Sequence, residues 1–83
     1  MSDLIEWLPW DPVHCQRRAP ASRFRVCAFH IDFDERPTCY VDVATLERAE
    51  AITMNLSDLR AGRNVDYATI YDDQGEHRGH GPW

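Results

Sequence analysis

Side chains that could bind a metal ion are present in this chain, but their spacing does not fit a metal site. The histidines and cysteines lie at His14, Cys15, Cys27, His30, Cys39, His77 and His80. Structural zinc sites usually carry paired ligands on tight turns, such as two cysteines separated by two residues, and the sequence contains no such pair. Cys27 and His30 fall within a predicted strand, where an odd separation points to opposite faces. We therefore expect no metal ion and no other cofactor.

A thiol active site is the second chemistry that these residue types suggest. Cys27 or Cys39 could act as a nucleophile with His30 and Asp32. A reactive thiolate needs an electropositive and partly open environment, whereas both cysteines fall in apolar segments. The pattern favours buried, unreactive thiols.

Pairs of carboxylates could act in acid/base catalysis, but they fall where aspartate has a structural use. Asp32 with Asp34, and Asp72 with Asp73, occur at predicted turns, where aspartate accepts backbone hydrogen bonds. No Gly-rich phosphate loop is present. The chain is therefore predicted not to be an enzyme, and a small metal- or thiol-dependent enzyme stays as one alternative.

The elements that hold these residues indicate an α+β domain over residues 23–83, after an irregular N-terminal arm over residues 1–22. The arm carries three of the five prolines, which disfavour a long helix, and its apolar side chains must pack on the core or on a partner. Alternating apolar residues predict a strand over 23–33, which is either central or covered on its second side by the arm, and a return strand over 38–43.

The second half of the domain is predicted to add a helix and further strands. A helix starts after the N-cap Thr45 and runs to about Asp58, with apolar residues spaced three and four apart. Residues 65–71 predict a third strand, and 76–79 a probable fourth after a turn at Gly75. The fold class is a small antiparallel sheet (ββαβ and the fourth strand) with one helix packed on one face.

Composition indicates one folded domain of cytoplasmic type. The 83 residues are 43% hydrophobic and 28% charged, as in globular proteins, and are too few for two cores. No apolar run approaches the roughly 18 residues that span a bilayer, and three cysteines suit reduced thiols. All nine basic residues are arginine, which fits a bacterial or phage genome rich in G and C.

The net charge of −5 conceals one basic segment. Arg17, Arg18, Arg23 and Arg25 lie in a stretch without acids, while the other five arginines face all 14 acidic residues. Binding a nucleic-acid backbone over a broad face needs several clustered cations, and the chain outside this segment is acidic. Direct nucleic-acid binding through residues 17–25 is therefore the less favoured alternative. An acidic body is better suited to a basic protein partner.

The function expected from these features is a small non-enzymatic protein-binding module or inhibitor, encoded by a phage or a bacterial operon. Its partner is a larger protein with a basic surface, including one that normally holds nucleic acid and is occupied by charge mimicry. Tryptophan is a favoured interface anchor. The predicted partner-binding residues are Trp7, Trp10, Asp32, Asp34, Glu35, Asp72, Asp73 and Glu76. A homodimer is an open alternative for a chain this short.

Overall fold

The structure, a computed structural model, describes residues 7–30, 32, 35–54 and 65–81. Within them an antiparallel sheet of five strands packs against one helix. In chain order the elements are β1 (Leu8–Pro9), β2 (Phe24–Phe29), β3 (Cys39–Val43), α1 (Leu46–Met54), β4 (Tyr67–Tyr71) and β5 (His77–Gly81). The spatial order of the strands is β1-β3-β2-β4-β5. The predicted α+β class, with a small antiparallel sheet and a helix, is confirmed.

The N-terminal arm differs from the prediction because part of it joins the sheet. Leu8 lies opposite Tyr40, and Pro9 opposite Cys39, in an antiparallel pairing with β3. A proline has no backbone N–H to donate, so this strand fits only at an edge of the sheet. The last strand, His77–Gly81, begins and ends later than expected.

The helix begins as its sequence predicts. The Thr45 hydroxyl accepts a hydrogen bond from the Arg48 backbone N–H at 3.1 Å, which is the N-cap arrangement. Glu47 lies in the first turn, where a carboxylate is favourable near the positive end of the helix dipole. The predicted continuation to Asp58 lies outside the described residues.

The core lies between α1 and one face of the sheet. Its buried members are Val26, Ala49, Ile52, Ala68 and Ile70. The helix approaches β5 so closely that a Cβ atom on Gly81 would lie 3.0 Å from the Thr53 side chain. A side chain at position 81 would therefore force Thr53 to shift.

The other face of the sheet, called the second face below, carries polar and aromatic side chains. Because side chains alternate along a strand, Arg25, Cys27 and Phe29 lie opposite the core-facing residues of β2. Tyr40 and Asp42 on β3, and Tyr67, Thr69 and Tyr71 on β4, share this face through the strand register. The second face therefore holds most of the side chains that could take part in binding or catalysis.

Candidate partner-binding surface

The arm is held across the second face by Arg25. Its guanidinium donates two hydrogen bonds to the Asp42 carboxylate, at 2.7 and 3.0 Å, and a third to the Gln16 carbonyl at 2.6 Å. The same group lies 4.4 Å from the centre of the Tyr40 ring. The hydrogen bonds to Asp42 raise the pKa of Arg25 above its ordinary value. Arg25 therefore links the arm to β2 and β3, and its guanidinium is occupied by contacts within the protein.

Arg17 fastens the arm at a second point. Its guanidinium lies 5.3 Å from the ring centre of Phe29 and 5.8 Å from that of Tyr71. It also donates to the Tyr71 hydroxyl at 3.1 Å and to the Glu35 carbonyl at 3.4 Å. Further along, the Ala19 N–H donates to the Asp72 carbonyl at 3.0 Å. Contacts with the sheet and its loops thus hold the arm at residues 16, 17 and 19.

The two tryptophans that were predicted to bind a partner lie in different surroundings. Trp7 packs against the buried residues on the helix side, and its Nε1 is buried without a hydrogen-bond partner among the described residues. Trp10 meets the Tyr40 ring edge-on, with the ring centres 5.8 Å apart. Because both tryptophans are only half-buried, each retains some accessible surface. The structure does not bring them together.

Apolar side chains next to Trp10 remain at the surface of the arm. Leu8 is 46% exposed and Val13 is 80% exposed. Leu8 lies opposite Tyr40 in the sheet register, and Tyr40 contacts Trp10, so these side chains share one region of the second face. We call Leu8, Trp10 and Val13 the arm patch. Leu8 and Val13 are not among the predicted partner-binding residues, since nothing local separates an exposed apolar residue of an irregular segment from a buried one.

Three of the predicted acidic residues are exposed. They are Asp32, Glu35 and Glu76. The backbone N–H of Asp32 donates to His30 Nδ1 at 3.0 Å, while its carboxylate is 3.9 Å from the same nitrogen. Asp34 lies outside the described residues. The three exposed carboxylates can therefore act in long-range attraction of a cationic partner.

Asp72 and Asp73 are engaged within the protein. Asp72 is only 8% exposed, and its Oδ1 accepts the backbone N–H groups of Gln74 and Glu76 at 2.8 and 2.9 Å. The hydrogen bond from Glu76 is the main cause that lowers the pKa of Asp72 below its ordinary value. Asp73 Oδ2 accepts the Ser22 N–H at 2.9 Å, which holds Ser22 at a φ of 64°. Both aspartates order a turn, as aspartate commonly does.

The predicted acidic residues also divide between the two ends of the sheet. Phe29, the last residue of β2, lies opposite Tyr67, the first residue of β4. Arg25, near the start of β2, lies opposite Tyr71 at the end of β4. The β2–β3 connection and the β4–β5 turn therefore leave the sheet at opposite ends, although Arg17 links the Glu35 carbonyl to the Tyr71 hydroxyl across the second face.

The cysteines lie in environments that suit structural thiols. None of the three forms a disulfide; Cys27 and Cys39 are buried, and Cys15 is half-buried in the arm. Burial raises the pKa of Cys27 to about 12. A thiol with such a pKa is protonated at neutral pH and is a poor nucleophile. In the parts of the chain that the structure describes, no three side chains of His, Cys, Asp or Glu are grouped to hold a metal ion.

Comparison of the chain with protein-family models, curated proteins and solved structures found no significant match. No helix within the described ranges is both long and apolar enough to cross a membrane. The chemistry of the surfaces described above is therefore the basis for proposing a function.

Proposed function

We propose that this chain is a non-enzymatic cytoplasmic module that binds a larger protein and modulates or blocks it. The observation that carries the proposal is the arm patch, where Leu8 is exposed near the half-buried Trp10 and Val13 is exposed three residues further along the arm. Apolar and aromatic side chains that are already at the surface can be buried by a partner at little cost in lost protein contacts.

The attachment of the arm to the sheet adds to the suitability of this surface. A flexible segment loses conformational freedom when it binds, and that loss reduces affinity. The hydrogen bonds of Arg25 to Asp42 and Gln16 hold the backbone next to the arm patch in place before a partner arrives. The arm patch is therefore pre-organised for contact.

The charge of the chain favours a basic partner surface. The net charge is −5, and the side chains of Asp32, Glu35 and Glu76 are exposed. A protein surface that normally holds nucleic acid has the complementary charge and is a candidate partner. Asp72 and Asp73 contribute to the overall field, while their hydrogen bonds keep them within the β4–β5 turn.

The proposal is tested by quantitative affinity capture from a lysate of the source organism, comparing matched variants. Val13→Ser alters the arm patch, and Met54→Ser is its control, because Met54 is 60% exposed at the end of α1. Loss of one interface anchor should weaken capture by roughly fivefold or more. Capture with Met54→Ser should equal that of the unmodified protein.

A second pair of variants tests the charge. Asp32→Asn with Glu35→Gln removes two charges from the β2–β3 connection, and Glu47→Gln with Glu50→Gln removes two from the exposed side of α1. Only the first pair should slow association with the captured partner, and the effect should shrink at high salt. If both pairs behave alike, or if Val13→Ser leaves capture unchanged, the proposal is wrong.

A further inference from the structure

A second surface, distinct from the arm patch, is formed by three rings along β4 and β5. The irregular register of these strands places His77 opposite Tyr71 and His80 opposite Thr69, so both imidazoles lie on the second face. The ring centres of Tyr71 and His77 are 5.9 Å apart, and those of His77 and His80 are 5.8 Å apart. We call Tyr71, His77 and His80 the ring row. Both histidines are exposed.

Cations of the basic segment lie beside the ring row. Arg17 is exposed and donates to the Tyr71 hydroxyl at 3.1 Å. Arg18 is also exposed, and its Cβ lies 3.7 Å from the position that a Cβ on Gly75 would take, which places Arg18 at the β4–β5 turn. Arg23 is exposed just before β2, at the same end of the sheet. The arginines are thus grouped in space as well as in sequence.

Acidic residues also lie near these cations, including Glu35, whose carbonyl accepts a hydrogen bond from Arg17 at 3.4 Å. Asp72 accepts hydrogen bonds from its own turn and lies 3.5 Å from Arg78, while Asp73 accepts the Ser22 N–H. Glu76 is the remaining acid of this turn and is exposed. The surface at the ring row therefore combines exposed arginines with exposed histidine side chains.

We infer that the ring row and its arginines bind single-stranded nucleic acid. Unpaired bases stack on aromatic and imidazole rings, and the phosphates between them are attracted to arginine. The base faces of a duplex are stacked and inaccessible, and an acidic peptide carries charge but no bases. Neither ligand would use both the rings and the arginines. The inference goes beyond the proposed protein binding and concerns different residues.

The probe is a fluorescein-labelled 15-nucleotide oligothymidine, followed by fluorescence anisotropy at about 50 mM and about 200 mM salt, with protein up to ~10⁻⁴ M. Three arginine–phosphate contacts on a single strand give a salt slope of about −2, which is a roughly 20-fold weakening between these conditions. The corresponding duplex and an oligoglutamate peptide serve as competitors and should displace the probe at least tenfold less well.

Matched variants separate this surface from general charge. His77→Ala and His80→Ala should each weaken binding by about fivefold or more, whereas His14→Ala, at an exposed histidine of the arm, should not. Arg18→Gln should weaken binding and lower the salt slope by about 0.7, whereas Arg48→Gln on α1 should do neither. Circular dichroism confirms that each variant is folded.

Each remaining outcome overturns the inference. Absence of saturable binding at the lower salt shows that the surface does not hold single strands. Equal competition by the duplex or by oligoglutamate shows that the rings contribute nothing. Equal loss in the His14→Ala or Arg48→Gln controls shows that binding is not located at the ring row.

Discussion

The contacts that Arg25 makes between the arm and the sheet lead to a quantitative prediction for the variant Arg25→Met. The Arg25 and Asp42 side chains are 12% and 21% exposed, so their ion pair lies between the surface and the buried class. Exposed pairs contribute about 0.2–1 kcal/mol, and breaking a buried pair costs about 3–5 kcal/mol. We expect the substitution to lower the free energy of unfolding by about 2 kcal/mol, since it also removes the hydrogen bond to Gln16 and the contact with Tyr40.

Thermal unfolding followed by circular dichroism measures this loss. In a domain of this size, 1 kcal/mol shifts Tm by about 4–8 °C, so Arg25→Met should lower Tm by about 8–16 °C. Arg23→Met removes the same charge from an exposed position and should change the free energy of unfolding by less than about 0.5 kcal/mol. A double variant, Arg25→Met with Asp42→Leu, should recover part of the loss because no charge is left unpaired.

Limited proteolysis reports on the arm itself. The chain contains no lysine, so trypsin can cut only after arginine, and Arg17 and Arg18 lie within the arm. Cleavage there should be several-fold faster in Arg25→Met than in Arg23→Met, because the arm opens more often. Equal Tm values for the two variants, or unchanged cleavage in Arg25→Met, would refute the claim that Arg25 holds the arm.

Three further predictions concern packing, thiol reactivity and pH. Gly81→Ala should destabilise the protein by about 1–2 kcal/mol in urea unfolding, because the new Cβ would lie 3.0 Å from the Thr53 side chain of α1. Its control is Gly79→Ala, whose Cβ would lie 3.4 Å from the terminal Cδ1 of Ile70 and which should cost less than about 0.5 kcal/mol. Iodoacetamide at neutral pH should label Cys15 well before Cys27, whose pKa of about 12 keeps it protonated; faster labelling of Cys27 would contradict its burial. The lowered pKa of Asp72 means that its carboxylate contributes stability above its ordinary pKa of 3.8, and that this contribution is lost as the pH falls through the lower pKa of the folded state. Asp72→Asn should therefore flatten the dependence of stability on pH in that window, and an unchanged profile would show that the turn does not depend on the charge.

Much of the fold was predictable because its signals are local. Alternation of side chains within 23–33 and 38–43 is sufficient to indicate strands, and apolar residues three and four apart indicate a helix. The N-cap at Thr45 and the turn at Gly75, which has a φ of 80°, also depend on neighbouring residues only. Such patterns survive folding because each element repeats with its own period.

The candidate surfaces were less predictable because they depend on partners far apart in the chain. The pairing of Leu8 and Pro9 with β3 has almost no local signal, since two residues carry no periodicity. It decides, however, that Trp7 contacts the helix-side core, whereas Trp10 lies on Tyr40. Alternation in a strand separates neighbouring side chains onto two faces, and the register determines which face each one joins.

The sequence by itself determined the α+β class of this chain, its acidic body and its basic segment, because composition and local periodicity require no knowledge of long-range contacts. Only the tertiary structure decided which charges stay available. Arg25 meets Asp42 across 17 residues, and Arg17 meets Tyr71 across 54 residues. Those contacts follow from strand order and register, which bring distant side chains within hydrogen-bonding distance. Two arginines of the basic segment therefore hold the arm on the sheet, while Arg18 and Arg23 are left exposed.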